Sequence, residues 1–369
     1  MKLEKLFYAL AVTVILILTL NYYVNQQPKT ITKENKQLRT IQEDSAIIFI
    51  NETTEYEQYF CNIEDCLDRL KLLFENQSVI CLFYNADPEL IDYLAKNSKS
   101  FKLYLDKVAE NKSFNVNVTF ISYKFGIFHA KICLVENITV IQSFNPTKKN
   151  AFYDVNDQFI IHSENITKFL KKTITEENLK SRKPFKIKTN KISITNSNIE
   201  NLILENINNK TKFMLYTLTL DSIANALESY NSEGLRSTYN NKYSKFPKNT
   251  ITFKNKIGQL HLKVFFNENS VISGSFNPTK SATLYNYEIS IMVNDTTLAK
   301  KYHNFYNFLK ELTQNEENLA KVKEFLIKYN ITISRKEYDV LIRNNKKYYN
   351  FTNEKGIYYI AFVPLKEIK

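Results

Sequence analysis

Two of the chain's four histidines, His129 and His261, open the same phrase. In the first copy, His129-Ala130-Lys131 is followed by Glu136 and then by Ser143-Phe144-Asn145-Pro146-Thr147-Lys148. In the second, His261-Leu262-Lys263 is followed at identical spacing by Glu268 and Ser275-Phe276-Asn277-Pro278-Thr279-Lys280. Both copies open apolar, strand-like runs. Side chains two apart on a strand share a face, so His129 and Lys131 point one way while Ile132 and Leu134 point the other. The second copy repeats this with His261 and Lys263 against Val264 and Phe266.

Such a set suits chemistry on a phosphodiester. Negative charge grows on the non-bridging oxygens as a nucleophile attacks phosphorus. Two ammonium groups and the amides of Asn145 and Asn277 supply donors for it. One neutral imidazole can attack while the other, protonated, gives its proton to the leaving oxygen. The two rings then need different environments. Acidic residues behind them would provide this, and Asp157 and Glu288 lie 14 and 13 residues after Ser143 and Ser275. Asn156 and Asn286 stand beside them.

The doubled pattern H-x-K-x4-acid-x6-[G]-S-x-N resembles the phospholipase D superfamily. Its Ser-Phe-Asn-Pro-Thr wording is similar to the phospholipase D-like endonuclease branch of bacteria and archaea. The resemblance spans roughly residues 44–313. It implies a duplicated phospholipase D-like α/β sandwich, and a cofactor-free, metal-independent mechanism through a phosphohistidine, with one site formed by both repeats. By position it makes His129, Lys131, His261 and Lys263 catalytic, with His129 the nucleophile. Ser143, Asn145, Ser275 and Asn277 become phosphate-binding groups, with Glu136, Asp157, Glu268 and Glu288 behind them. The family's acid after the lysine is aspartate, whereas both copies here carry glutamate. The glycine before the first serine is Gln142, while Gly274 keeps it in the second copy.

The elements that must position these residues alternate between strand and helix, which predicts two similar mixed-sheet halves flanked by helices. The first half, 44–180, reads as strand 46–50, helix 56–75, strand 78–84, helix 87–96, and strands 115–122, 129–136 and 138–143. A polar linker, 181–196, precedes the second half, 197–315: helix 197–208, strand 212–218, helix 220–230, strands 251–255, 261–268 and 270–275, and a helix over 298–313. Residues 316–369 form a helix-and-hairpin extension, read either as a cap on the core or as a small nucleic-acid module. His162 and His303 take no role. Cys61 and Cys66 are expected on one helix, pointing apart. Cys81 and Cys133 are expected as buried small hydrophobes.

The net charge of +12 suits a polyanionic partner, nucleic acid or an anionic membrane, or is simply a solubility surplus. Arg236–Lys248 mixes basic residues with Tyr239, Tyr243 and Phe246, and reads as a track for a single strand or as a solvated loop. Residues 6–24 are an apolar run near the ~20 residues needed to cross a bilayer. The run reads as a signal anchor within 1–24, with a cleaved signal peptide as the alternative and 25–43 as a polar tether. Sequons such as Asn51, Asn117 and Asn165 favour a body outside the cytoplasm of a single-pass membrane protein. The expected function is a membrane-anchored phosphodiesterase acting on DNA or RNA. A phospholipase or phosphatidyl transferase and an inactive nucleic-acid-binding protein are the alternatives.

Overall fold

The computed structural model describes residues 47–61, 66–152, 154–239, 242–253, 259–314, 346–353 and 356–364. Its strands, numbered along the chain, form two large mixed sheets. The first runs in the order β2 (Glu55–Cys61), β8 (Asn156–His162), β7 (Ile138–Gln142), β6 (Ile132–Val135), β3 (Ser78–Phe83), β4 (Ser100–Asp106) and β5 (Asn117–Ile121). The second runs β1 (Ile47–Phe49), β9 (Lys186–Lys188), β10 (Ile192–Thr195), β16 (Ser290–Asn294), β15 (Ser270–Gly274), β14 (Lys263–Phe266), β11 (Lys212–Leu215), β12 (Glu233–Arg236) and β13 (Thr250–Thr252).

From β10 to β13 the second sheet repeats the first, strand for strand. Both begin with four antiparallel pairings and finish with two parallel ones. β1 and β9 are additions at one end, β1 pairing in parallel with β9. The chain thus sends its first described strand into the second half's sheet, not the first half's.

Period-two alternation divides each sheet between two cores. In β6, Ile132 and Leu134 enter a central core, while Cys133 and Val135 face an outer one. In β14, Val264 and Phe266 enter the same central core and Phe265 faces a third. The helices Cys66–Phe74 and Pro88–Ala95 cover the outer face of the first sheet. Ile199–Leu204 and Asp221–Ser229 cover that of the second. The long helix Thr296–Gln314 joins the central core through Leu298, Tyr302, Phe305 and Leu309. This is the expected sandwich of two mixed-sheet halves flanked by helices.

Several elements differ from expectation. Residues 55–61 are strand β2, not the start of a helix. Gln58 and Phe60 are buried on one face, and β2 pairs along its whole length with β8, a strand the sequence reading missed. Cross-strand packing outweighs the helix preference of its glutamates. The segment 181–196 holds β9 and β10, so it is part of the sheet. All four cysteines are in disulfides. Cys61 ends a strand and Cys66 opens a helix, which brings their Cα atoms within 5.3 Å. Cys81 and Cys133 are directly opposite one another in the antiparallel β3–β6 pair, with Cα atoms 4.1 Å apart.

β17 (Lys346–Asn353) and β18 (Gly356–Pro364) form the expected antiparallel hairpin. The apolar run 6–24, the tether and the helices of 316–343 lie outside the described residues. Among the described residues no helix is long and apolar enough to cross a membrane.

Candidate active site

The two halves meet through exchanged backbone bridges just ahead of β6 and β14. His129 donates its backbone N–H to the Tyr287 carbonyl at 2.9 Å, and His261 donates its own to the Val155 carbonyl at 2.9 Å. Phe128 bridges Tyr287, and Leu260 bridges Val155, both in parallel. Each histidine is therefore docked on the opposite half, one residue before the side chain that its ring meets.

Those side chains are Glu288 and Asn156. The His129 Nδ1 lies 2.8 and 3.0 Å from the two carboxylate oxygens of Glu288. The His261 Nδ1 lies 2.9 Å from the Asn156 Oδ1. An imidazole whose Nδ1–H donates to an oxygen presents the lone pair of Nε2 forward. Each ring is also flanked edge-on by a tyrosine, Tyr84 at 5.3 Å from His129 and Tyr216 at 5.0 Å from His261.

The lysines sit beside the rings. Lys131 Nζ is 3.0 Å from the His129 Nε2 and donates to the His129 carbonyl at 3.0 Å. Lys263 Nζ lies 3.4 Å from both ring nitrogens of His261 and donates to the His261 carbonyl at 2.6 Å. Both lysines are nearly inaccessible, at 1% and 2% exposure. Taking four basic groups out of water disfavours their charged forms. Burial lowers His129 to about 4, against the pull of Glu288. Burial, then the neighbouring lysines, holds His261 well below the ordinary imidazole range. Lys263 is lowered to about 7, again chiefly by burial, and Lys131 falls well below its usual value. The fields of Lys131 and His129 reach His261, and that of Lys263 reaches His129, so the paired groups share one space.

The serines stand behind this space. Ser143 Oγ donates to Asn156 Oδ1 at 3.0 Å and accepts the Asp157 backbone N–H at 2.9 Å. Ser275 Oγ donates to Glu288 at 2.6 Å and accepts the Ile289 N–H at 2.9 Å. Both hydroxyls are buried, and each holds the partner of the other half's histidine. Asn286 braces Glu288 as well, its Nδ2 donating at 3.0 Å while its Oδ1 accepts from the Ile127 N–H at 3.1 Å. Asn145 bonds Asn150 through its Nδ2 and accepts from the Asn85 N–H. Asn277 lines the open cavity and keeps a buried Oδ1 without a hydrogen-bond partner.

Three expected residues are elsewhere. Asp157 is not behind a histidine: its Oδ2 accepts from Ser273 and Tyr302, both at 2.6 Å, between the sheets. It is one position out of register, because the alternation of β8 turns Asn156 toward His261 and Asp157 away. Glu136 and Glu268 are exposed beyond the far ends of β6 and β14. Seven residues of extended chain separate each from its histidine, roughly 20 Å. Glu136 occupies a turn with φ +38°, and Glu268 pairs with Lys210 at 2.7 Å. Gln142 leaves the site clear, since its amide donates to the Phe144 carbonyl and accepts from Gln158, each at 3.1 Å. His162 pairs with Glu57 and His303 packs edge-on against Phe266, both away from the site.

Residues 193–309, most of the second half, match the family model described as cardiolipin synthase, PLD-like domain. The resemblance read from the doubled motif therefore holds. The fold is shared with phosphatidylserine synthase of Haemophilus influenzae Rd KW20, at 9% identity and a TM-score of 0.54, over 80% of this chain and 98% of that one. Polyphosphate kinase of Porphyromonas gingivalis matches at 12% identity and a TM-score of 0.49. That match covers 71% of this chain and 47% of the kinase, so the chain spans about half that relative's length. Nuc of Salmonella typhimurium, a phospholipase D family member, matches at 22% identity and a TM-score of 0.27, over 31% of this chain and 92% of Nuc. No curated protein matches the sequence.

Proposed function

We propose that the chain is a phosphodiesterase that works through a phosphohistidine, with His129 as nucleophile and His261 as general acid. The observation that carries this assignment is the difference between Glu288 and Asn156. A carboxylate behind His129 stabilises the positive charge that its ring gains when Nε2 bonds to phosphorus. A neutral amide behind His261 orients that ring without raising its proton affinity, so the protonated ring stays a strong acid.

In the first step the His129 Nε2–P bond forms and the P–O bond to the leaving group breaks. The proton on His261 Nε2 passes to the leaving oxygen. In the second, water attacks phosphorus, His261 takes its proton, and the P–N bond breaks. Lys131, Lys263 and the amide of Asn277 stabilise the oxygens of the transferring group. The phosphodiester itself, by bringing negative charge among these bases, restores the protons that burial removes from the empty site.

Nucleic acid is the substrate we favour, supported by the charge of +12 and by the tyrosines that flank the site. A lipid phosphodiester is the second reading. The match of residues 193–309 to a cardiolipin synthase domain and the apolar run at 6–24 favour it. The apolar run, read as an anchor, and the pairing of all four cysteines support a membrane-bound body in an oxidising compartment outside the cytosol. The deciding experiment incubates the full chain, in detergent with a chelator, with DNA, RNA and mixed micelles of phosphatidylglycerol. Cleavage of nucleic acid, absent in His129→Asn and His261→Asn, is the expected result. Release of head group alone would transfer the assignment to lipid, and full activity in both variants would refute the shared site.

A further inference from the structure

A cavity of about 490 Å³ opens beside the site on the second half's side. His129 contributes to its wall from the first half; Tyr216, Tyr239, Tyr243, Lys245 and Lys280 come from the second. Tyr216 and Tyr239 lie stacked, 4.8 Å apart and 15° from parallel. The same Tyr216 meets the His261 ring edge-on, so an unbroken line of rings leads from the reacting groups into the cavity. Tyr239 is 45% exposed and Tyr243 is 62% exposed, which leaves flat apolar surface facing water beside buried bases.

The first half shows how this place looks without such a function. The register of the parallel pairs makes Tyr84 the counterpart of Tyr216, and Val108 that of Tyr239. The backbone is shaped alike in both: Asp106 accepts the Val108 N–H at 2.9 Å, and the Ser237 hydroxyl accepts that of Tyr239 at 3.1 Å. Only the second half places a ring there. In the first half, moreover, Lys112 Nζ fastens the neighbouring loop, donating to Asn85 at 3.0 Å, to the Ala86 carbonyl at 2.8 Å and to Asp87 at 3.1 Å. In the second half Lys245 pairs with Asp221 at the corresponding loop and leaves the cavity beside it open.

We propose that this cavity is a base-stacking subsite, and that the substrate is therefore single-stranded nucleic acid. The inference rests on the phosphodiesterase reading for what happens to the phosphate, and adds which polymer delivers it. A base in a duplex already has both faces covered by its neighbours, whereas a single-stranded base can lie against a tyrosine. The cavity falls within the ~300–1,000 Å³ typical of small-molecule sites, large enough for a nucleotide.

Binding tests this without relying on cleavage. The full chain carrying His129→Asn is titrated with a fluorescent single-stranded oligonucleotide, an abasic strand of the same length, and the duplex. The expected result is about tenfold tighter binding of the base-bearing strand than of the abasic strand, with the duplex also weaker. Tyr239→Val, which copies the first half, should bring the base-bearing strand down to the abasic affinity, while Tyr239→Phe keeps the preference. Equal binding of all three nucleic acids, or a preference unchanged by Tyr239→Val, overturns the proposal. So does displacement of the oligonucleotide by phosphatidylglycerol micelles in a manner that depends on Tyr239. Should the phosphodiesterase reading fail instead, the protein with His129 intact would cleave nothing while this preference persisted.

Discussion

Asn156 and Glu288 occupy the same place in the two halves, each accepting from the serine thirteen residues before it, and they differ by one charge. Duplication builds two equivalent histidine sites. This one exchange makes them chemically unequal, and in the mechanism we propose it lets one imidazole attack while its twin delivers a proton.

Altering either partner should therefore slow the reaction, each through its own histidine. Glu288→Gln removes the charge that stabilises the phosphorylated His129 and should lower kcat by roughly 10²–10⁴-fold. Asn156→Asp adds a charge behind His261, raises its proton affinity and should slow departure of the leaving group. In His261→Asn the phosphoryl group should accumulate on His129, located by mass spectrometry of the trapped protein. Accumulation on His261 in His129→Asn would reverse the assignment.

The buried bases set the pH profile. His129 attacks only when neutral and is held at about 4 by burial, so kcat/KM should rise through about pH 4. His261 must be protonated to act as the acid and is held well below the imidazole range, so kcat/KM should begin to fall before pH 7. Lys263 holds phosphate only when charged and is lowered to about 7, so the loss should deepen beyond about 7. Because Glu288 raises the His129 value, Glu288→Gln should move the acid limb to lower pH. Movement toward higher pH would contradict the contact.

The Cys81–Cys133 disulfide closes a separation of 52 residues across the centre of the first sheet. On loop-closure entropy alone such a link is worth about 4 kcal/mol. Replacing both cysteines by alanine should lower the urea midpoint accordingly, and dithiothreitol should have the same effect on the native chain. Cys61–Cys66, spanning only five positions, should matter less.

Gly274 adopts φ +132°, and a Cβ there would approach the Ile289 carbonyl oxygen to 2.4 Å. Gly274→Ala should cost about 1–3 kcal/mol, read as a lowered Tm. Activity should fall with it, because Ser275 and Glu288 are the next groups to move.

Much of this was legible in the sequence, because identical spacing in two copies fixes which residues converge. The histidines, lysines and Glu288 came from that spacing, as did the sandwich of two similar halves. Asn156 was missed for lack of a symmetric count: thirteen residues from either serine reaches Asn156 and Glu288, but the eye prefers the acid next door. Glu136 and Glu268 share the repeat yet lie beyond the far ends of their strands, since a repeated spacing records common ancestry of structure and not proximity to one point. β2 was hidden by glutamates that favour helix in isolation, and both disulfides depended on pairings between strands that only the assembled sheets reveal. The stacked Tyr239 lay within a stretch flagged for its rings and charges, although the sequence could not say which ring faced the site.

The strand Ile47–Phe49 carries one more implication, for biosynthesis. Its partner Lys186–Lys188 leaves the ribosome well over a hundred residues later. The nascent chain must therefore hold three apolar residues unpaired while the whole first lobe emerges, and seat them only once the second has begun to assemble. Severing the polypeptide between the lobes would leave that strand on the wrong fragment.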